Sequence, residues 1–513
     1  MSSAPRRSPR VRDRRLARQA LALMAPVLLA PGALSLLALP VCFGDGPRCW
    51  VAFGATVAVS AAAYGALRLL FGPADGRVAV PTRMVAVAGG WLLVAVIGMI
   101  PFLVIGHGEG ANAQTARFTD VQSVFFESMS TFTSTGLSMI SAPSELPASL
   151  QLWRSLGQWV GGLGMTVFVY AVARPDEDAF QVMTAELSVD ELELGPGAAM
   201  RRLLAIYGGL TALSVGLFAA LGMPPWEALN HGLTGVATAG MTVTDDSFRG
   251  YGPALKLAAM FVMLLGGVSM VSHHLLLFRR QLGALLRRTE LRTVAALLFL
   301  CGAAAVGAHV RLGAGGGALD AAFTWVSALT TCGFSAVDLA VYPASLLLLL
   351  GIAMVVGAES GSTCGGIKAR RLAWLLRGVV GRVGWEATHQ ERRPVHRFDG
   401  ERVEPEEAAR QMQSAAVVAS LWLLIILAAA LGAQILGAGA APFDDVLFDC
   451  ASALGGVGLS AGWVSSGMPD ASKVGLALMM WMGRLELLAV LVLILAPIRR
   501  VLARRLTTPV EDR

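Results

Sequence analysis

Four short segments of this sequence share a pattern of small and hydroxyl residues that ends on a glycine, an apolar residue and Ser or Thr. The segments are 126–138, 233–242, 326–335 and 451–460, and their shared glycines are Gly136, Gly240, Gly333 and Gly458. Glycine permits backbone angles that other residues resist. Exposed carbonyl oxygens can replace the water shell of a dehydrated cation. The four segments therefore predict cation binding by backbone oxygens.

A short amphiphilic helix is predicted before each segment, and each pair lies between two long apolar stretches. A helix of about ten residues cannot cross a bilayer, which takes roughly 20, so each pair is predicted to be a re-entrant loop. Non-helical backbone at membrane depth is tolerated only if it is buried in protein or lines a watery cavity. Four copies around one axis would supply that cavity, with the partly negative end of each short helix directed at the cation. The alternative is a set of Gly-rich packing seams, which explains one segment more readily than four.

The composition places these segments in a membrane protein. The chain has 513 residues, of which 55% are hydrophobic and 15% charged, whereas a soluble chain has about 25% charged residues. We predict an all-α polytopic membrane protein with about ten spans. It would consist of four helix–pore loop–helix repeats around a central pore and two extra N-terminal transmembrane helices. The apolar stretches are 19–41, 50–71, 82–106, 149–173, 202–222, 254–278, 291–310, 344–358, 414–437 and 471–498.

The basic residues predict the orientation of the chain. Lys and Arg number 41 against 35 Asp and Glu, a formal net charge of +6. Basic clusters lie at the N-terminus and after the sixth, eighth and tenth stretches. All of them fall on one side if the N-terminus is inside and every stretch crosses. We therefore expect a multi-pass protein of the cytoplasmic (inner) membrane with both termini cytoplasmic. A cleaved signal peptide over 1–45 is the alternative, but its apolar part is too long and has no clear cleavage site.

Three further stretches carry a distinctive combination of residues. They are 158–165 (QWVGGLGM), 361–368 (GSTCGGIK) and 483–486 (GRLE). Together with the four loop segments they make residues 20–505 resemble the Trk/Ktr/HKT superfamily of potassium transporters, specifically the ten-span Trk-type membrane subunit. The resemblance implies a transporter rather than an enzyme. It also implies that the potassium ion is the transported species and that no tightly bound organic cofactor is present.

The resemblance implies that the four loops form a selectivity filter for potassium. Relatives that are associated with sodium transport have Ser at the position of Gly136, so glycine here favours potassium. Leu137, Ala239, Met241 and Cys332 depart from the usual family pattern, which leaves the choice among potassium, rubidium and sodium open. The implied filter residues are Ser134, Thr135, Gly136, Ala239, Gly240, Thr331, Cys332, Gly333, Gly456, Val457 and Gly458.

Two elements are expected beneath the filter. The family segment that matches 361–368 is an intramembrane gating loop, which implies gate residues Gly361, Ser362, Thr363, Gly365 and Gly366. Close packing alone is the alternative for this loop. The family arginine that matches Arg484 faces the pore, where a positive charge would form a barrier. A charged side chain within a span usually faces a cavity or a partner, so the alternative for Arg484 is a structural pair with Glu486 or Glu359.

Several other polar residues have open roles. Glu127, in the first predicted pore helix, either attracts cations or caps hydrogen bonds. His273 and His274 are expected to be packing or interface residues. The basic residues between 368 and 371 are expected to mark the inner membrane edge rather than a site.

The six cysteines contain no CxxC motif, which argues against a zinc or redox site. Cys42 and Cys49 flank a loop predicted to face outside, and a disulfide between them is left open.

The chain is predicted to divide into successive segments. These are a basic cytoplasmic tail (1–18), two extra N-terminal helices (19–75), repeat 1 (82–174), repeat 2 (198–282), repeat 3 (289–378), a cytoplasmic loop (379–407), repeat 4 (408–500) and a cytoplasmic tail (501–513).

The expected partners follow from the resemblance. The sequence has no P-loop and no dinucleotide-binding fingerprint in a strand–helix context, so no nucleotide-binding domain of its own is expected. The family works with a separate cytoplasmic nucleotide-binding regulatory subunit and forms homodimers in the lipid bilayer, and we expect no nucleic-acid partner. The charged stretch 369–411 is either a docking surface for that subunit or a solvated loop.

Two other functions compete with a pore. An intramembrane protease would need a nucleophile and a base at depth, and no convincing pair is found. Ser138, Ser335 and Ser460 recur at one loop position, which suits pore lining better than a single catalytic site. A secondary transporter with inverted repeats is disfavoured because each loop is predicted to enter from the same side. Whether flux is passive or coupled to another ion stays open.

Overall fold

The computed structural model describes residues 9–73, 78–108, 111–172, 196–388, 396–438, 441–485, 487 and 490–494. Helices dominate this part of the chain. The strands found within it are β1 (His396–Phe398) and β2 (Glu401–Val403), which form one antiparallel hairpin. The prediction of an all-α fold is confirmed apart from that hairpin.

Four N-terminal helices precede the repeating part of the fold. They are α1 (Pro9–Met24), α2 (Leu29–Ala38), α3 (Cys42–Asp45) and α4 (Pro47–Phe71). Leu16–Asp45 is long and apolar enough to cross a bilayer as one interrupted helical segment, and α4 is as well. Helix α4 packs against α2 and against the first helix of the repeats. The two extra N-terminal segments therefore brace one side of the bundle.

The rest of the chain repeats one order of elements four times: a long apolar helix, a short helix, a loop and a second helix. Repeat 1 contains α5 (Val80–Gly106), α6 (Val121–Phe132) and α7 (Ala148–Val172). Repeat 2 contains α8 (Pro196–Ala220), α9 (Pro225–Val236), α10 (Pro253–Gly267) and α11 (Met270–Leu277). Helix α12 (Leu282–Arg287) connects to repeat 3, which contains α13 (Thr289–Ala296), α14 (Gly302–Leu312), α15 (Ala318–Leu329), α16 (Ala344–Val356) and α17 (Ala369–Thr388). Repeat 4 contains α18 (Pro405–Ala433), α19 (Phe443–Gly455) and α20 (Asp470–Arg484).

The short helices α6, α9, α15 and α19 are the predicted pore helices. They have 12 or 13 residues, so at ~1.5 Å per residue they span only ~20 Å. The hydrocarbon core of a bilayer is about 30 Å thick, which none of them can cross. Helix α6 starts where the Asp120 carboxylate accepts hydrogen bonds from the backbone N–H groups of Gln122 and Ser123. A side chain of this kind satisfies N–H groups that a helix start leaves unpaired.

The predicted spans are reproduced only in part. Six described segments are long and apolar enough to cross a bilayer, and α10 with α11 would make a seventh. The span predicted over 254–278 is not one straight helix, because the chain bends by 100° between Gly267 and Met270. Ser269 caps the new helix there by accepting a hydrogen bond from the N–H of Ser272. The predicted count of about ten spans stays a prediction.

The segment predicted as a cytoplasmic loop, 379–407, contains regular structure. Helix α17 continues to Thr388, the hairpin occupies 396–403, and α18 begins at Pro405. Trp374 of α17 stacks on Phe398 of β1, with ring centroids 4.7 Å apart. This part of the chain therefore packs against repeat 3 instead of forming only a solvated loop.

Ion pairs join the ends of neighbouring repeats. Lys473, at the start of α20, lies 2.8 Å from Asp120 at the start of α6. Lys256, near the start of α10, lies 2.7 Å from Asp320 near the start of α15. Each pair links the second helix of one repeat to the pore helix of the next, so the pore helices are held in fixed relative positions.

Candidate functional site

The loops that follow the four pore helices meet in one closed ring. Each contains the shared glycine, and a Cβ atom placed on that glycine would overlap a backbone carbonyl oxygen of the next loop. The pairs are Gly136 with Ala239, Gly240 with Cys332, Gly333 with Val457, and Gly458 with Thr135. The fourth loop thus returns to the first. Because no side chain fits at these positions, the ring explains why all four residues are glycine.

The backbone conformation is the same in all four loops. The φ angles of the ring glycines lie between +72° and +98°. Two residues before each glycine, φ is again positive, at 55°, 47°, 51° and 62° for Ser134, Thr238, Thr331 and Gly456. Left-handed φ angles at residues other than glycine cost ~1–3 kcal/mol each and persist where the surroundings enforce them. Such repeated strain is typical of a functional site.

Hydroxyl groups that the sequence analysis missed hold three of the loops in place. Ser130 Oγ accepts a hydrogen bond from the N–H of Gly136 at 3.0 Å. Ser327 and Ser452 do the same for the third and fourth ring glycines, at 3.0 and 3.1 Å. Thr234 occupies this position in repeat 2, but its hydroxyl has no hydrogen-bond partner there. The signal was present in the sequence, as a Ser or Thr six residues before each glycine.

Carboxylates anchor the outer ends of the first and fourth loops. Glu127 is fully buried; it accepts hydrogen bonds from Ser138 Oγ and the N–H of Met139 and pairs with Arg154 at 2.9 Å. Asp449 lies at the equivalent position of repeat 4, nine residues before the glycine, and accepts from three groups of its own loop. Of the two roles left open for Glu127, the structure favours capping hydrogen bonds.

The second loop is held differently. Gln158 Nε2 donates to the carbonyl oxygen of Ala239 at 2.8 Å, and Gln158 Oε1 accepts from the N–H of Met241 at 3.1 Å. The Ser134 hydroxyl of the first loop donates to the carbonyl of Gln158 at 2.8 Å. Gln158 therefore ties the first two loops together, a role that the sequence analysis did not assign to it.

A cavity opens directly above the ring. All four ring glycines line it, together with Ser138, Ser335 and Ser460. Charged residues also line it, namely Asp245, Asp246, Asp338, Arg154 and Arg249. The cavity leads from the surface to the ring glycines, so an ion can reach the ring from that side.

Beneath the ring, the loop at 357–368 separates α16 from α17. The N–H of Gly365 donates to Thr331 Oγ1 at 2.7 Å, and Cys364 Sγ lies 2.8 Å from the carbonyl of Thr330. Thr363 Oγ1 donates to the carbonyl groups of Val236 and Gly266. The loop therefore contacts the lower ends of the second and third pore helices.

The remaining residues that were predicted to form a gate lie in the same loop. The carbonyl of Gly361 accepts from the N–H of Met270, and Ser362 Oγ donates to the carbonyl of Glu359. The φ angles of Gly361 and Gly366 are +76° and +79°. All five predicted gate residues thus fall in one irregular segment under the ring.

Arg484 also lies beneath the ring. Its guanidinium donates to the carbonyl groups of Thr363 at 2.9 Å and Gly161 at 2.6 Å, and to that of Gly162. No carboxylate of the described residues pairs with it, and Glu486 falls outside them. The predicted alternative partner, Glu359, pairs instead with Arg288 at 3.4 Å. The arginine thus connects the 357–368 loop to repeat 1.

The structure also shows the surroundings of other residues that the sequence singled out. Lys368 Nζ donates to the carbonyl of Cys364, and Arg370 Nη1 lies 3.5 Å from Glu290, so both belong to the surroundings of the loop rather than only to the membrane edge. Cys42 and Cys49 are buried and carry no disulfide. The expectation for His273 is consistent with its hydrogen bond to the carbonyl of Leu265.

A family model described as "TrkH: Cation transport protein" matches residues 51–300 and 289–498, which is most of the chain. The chain belongs to the TrkH family of cation transport proteins. The match confirms the resemblance to a Trk-type membrane subunit and identifies a multi-pass transporter rather than an enzyme.

Known relatives and a solved structure agree with this assignment. An uncharacterized cation transporter, MJ1485, of Methanocaldococcus jannaschii is 30% identical over 414 residues, covering 80% of this chain and 81% of the relative. The Trk system potassium uptake protein TrkI of Halomonas elongata is 29% identical over 72% of this chain and 76% of its own. The crystal structure of the potassium transporter TrkH from Vibrio parahaemolyticus superposes with a TM-score of 0.78 at 21% identity, covering 93% of this chain and 98% of that one. That likeness shows that the two share a TrkH fold.

Proposed function

We propose that this chain takes up potassium ions across the cytoplasmic membrane through a channel-like pore whose selectivity filter is the ring of four loops. The observation that carries the proposal is the closed ring of glycine–carbonyl contacts, in which Thr135, Ala239, Cys332 and Val457 supply the carbonyl groups. Carbonyl oxygens can replace the hydration shell of a bare alkali ion. The C-terminal ends of four pore helices add partial negative charge at the same place. Relatives named as potassium uptake proteins support potassium as the ion.

The same proposal assigns gating to the 357–368 loop and a barrier to Arg484. The loop contacts the lower ends of two pore helices and bonds to Arg484 through the carbonyl of Thr363. A positive guanidinium beneath the filter repels a cation that leaves it. Irregular backbone with several left-handed glycines can change conformation without unfolding a helix. Opening would move the loop and the arginine away from the path together.

Regulation and assembly complete the proposal. We infer a homodimer with both termini on the cytoplasmic side, controlled by a separate nucleotide-binding subunit bound there. The names of the relatives support a multi-component uptake system. The surface formed by α17, the hairpin and the start of α18 is the part of the chain proposed to meet that subunit.

Cation flux into proteoliposomes tests the function. Purified protein should pass potassium and rubidium faster than sodium, with protein-free vesicles as the blank. Addition of a candidate nucleotide-binding subunit should change the rate. A variant that lacks residues 361–366 should leak, because the proposed gate is removed. If neither the full protein nor this deletion passes any alkali cation above the blank, the proposed function is wrong.

A further inference from the structure

A reciprocal pair of hydrogen bonds joins the hairpin to the start of α13. Asp399 Oδ1 accepts from the N–H of Thr289 at 2.6 Å, and the N–H of Asp399 donates to Thr289 Oγ1 at 3.1 Å. We call this pair the clasp. Asp399 and Gly400 have φ angles of 54° and 89°, as a two-residue hairpin turn with two left-handed positions requires. The tip of the hairpin is therefore fixed at one point of repeat 3.

Aromatic and cationic side chains of α17 pack against the hairpin beside the clasp. Phe398 stacks on Trp374, and the guanidinium groups of Arg370 and Arg377 lie 5.1 and 4.9 Å from the Phe398 ring. Cation–π contacts of this kind favour a defined position for the ring. Arg377 Nη2 also donates to Thr289 Oγ1 at 3.3 Å. These contacts attach the hairpin to α17 and to the start of α13.

The two residues that flank Thr289 both reach the 357–368 loop. Glu290 accepts a hydrogen bond from the N–H of Ser360 at 2.8 Å, and Arg288 pairs with Glu359 at 3.4 Å. Glu290, Arg288 and Glu359 are 1%, 5% and 1% exposed, respectively. Removing one partner of a buried ion pair is strongly destabilising, because the remaining charge is left uncompensated. These contacts therefore couple the loop firmly to α13.

Glu359 extends the connection to the broken helix of repeat 2. Its carboxylate accepts from the N–H of Ser269 at 2.9 Å and from Ser272 Oγ at 2.7 Å, at the start of α11. Its own N–H donates to the carbonyl of Gly267, where α10 ends. Glu359 therefore holds the start of the loop at the 100° bend.

We propose that the Thr289–Asp399 clasp positions the 357–368 loop beneath the filter, so that displacement of the hairpin frees the loop to move. The inference rests on the proposed function, since it assumes that this loop closes the pore. The physical connection runs from Asp399 through Thr289 to Arg288 and Glu290, and from these to Glu359 and Ser360. A ligand or subunit that pulls the hairpin away breaks the clasp first and loosens the loop.

Each of two substitutions removes one of the two hydrogen bonds of the clasp while keeping the local fold. Asp399→Gly removes the carboxylate but retains a residue that accepts the left-handed turn conformation. Thr289→Val removes the hydroxyl acceptor and keeps the branched shape. Potassium flux into proteoliposomes should rise at least about fivefold in each, the lower end of the range for coupled sites. Asp399→Asn keeps the oxygen acceptor and the turn, so its flux should match the parent. Arg311→Gln, at an exposed position of α14 outside the hairpin, is the control and should also be unchanged.

Hydrogen exchange supplies a readout that does not depend on flux. The N–H groups of Glu359, Ser360, Thr363 and Gly365 are all hydrogen-bonded, so they should exchange faster in Asp399→Gly than in the parent and Asp399→Asn. Unchanged exchange in the loop would overturn the inference. Unchanged flux in Asp399→Gly, while the deletion of 361–366 leaks, would also overturn it and leave the proposed function standing. No flux in any variant would instead refute the proposed function.

Discussion

Replacing Gly333 by alanine should strongly lower potassium flux and weaken the preference for potassium over sodium, while the protein still folds. The added Cβ would overlap the carbonyl oxygen of Val457, with the carbonyl carbon only 3.1 Å away. Ordinary carbon contacts are about 3.5–4.0 Å, so one loop must retreat by roughly 1 Å. A φ of +90° adds backbone strain, worth ~1–3 kcal/mol for a residue other than glycine. Since 1.4 kcal/mol is a tenfold change in an equilibrium, potassium flux should fall by about tenfold or more.

The assay is potassium and sodium flux into proteoliposomes, with protein amount and thermal unfolding measured on the same preparations. Gly208→Ala is the matched control, since Gly208 lies in α8 and the added Cβ would meet nothing within 4 Å beyond its chain neighbours and the backbone of its own helix. Alanine at such a helix position is expected to stabilise by ~0.5–1 kcal/mol and to leave flux unchanged. If Gly333→Ala conducted potassium like the parent, with the same preference over sodium, the steric account of the ring would be refuted.

Three further predictions concern the surroundings of the ring. Arg484→Ala should assemble normally and raise cation flux roughly fivefold, for a removed repulsion of ~1 kcal/mol; unchanged flux would argue against a barrier. Ser452→Ala leaves the N–H of the fourth ring glycine unpaired and should lower the free energy of unfolding by ~1–3 kcal/mol. Thr234→Val removes a hydroxyl that has no hydrogen-bond partner, so its free energy of unfolding should be nearly unchanged. Equal losses of stability for the two variants in a denaturation series would contradict this prediction. Burial alone would raise the pKa of Asp120, but hydrogen bonds, chiefly from Lys473, lower it from 3.8 to about 2. The contribution of the Asp120 carboxylate to stability is therefore complete above pH 3.8 and lost as pH falls through about 2. An Asp120→Asn variant with the same acid unfolding profile as the parent would refute this role of Asp120.

The sequence was informative where the chemistry requires one residue type. The four ring glycines could be predicted because backbone that folds back on itself at membrane depth has few alternatives to glycine. The loop around Gly361 and the position of Arg484 came from a resemblance, and their placement beneath the ring is a matter of geometry that hydropathy does not contain. The Ser-x5-Gly spacing of repeats 1, 3 and 4 is visible in the sequence, but the hydrogen bond that it supports became clear only from the structure.

Tertiary contacts explain most of what could not be predicted. The apolar run over 254–278 gives no sign of a break, because hydropathy measures transfer free energy and not backbone direction. The break occurs where the backbone of Gly266 and Gly267 bonds to Thr363 and Glu359, 90 or more residues away in the chain. The hairpin had a signal in its Asp-Gly turn, but the charged residues around it favoured an interpretation as a loop.

Locating an alkali ion in crystals of the protein, by the anomalous scattering of rubidium, shows whether the ring binds a cation. We expect density inside the ring, surrounded by the carbonyl oxygens of Thr135, Ala239, Cys332 and Val457, and its loss in Gly333→Ala. A ring that stays empty in saturating rubidium, with ions bound only elsewhere along the chain, would contradict a filter formed by these four loops.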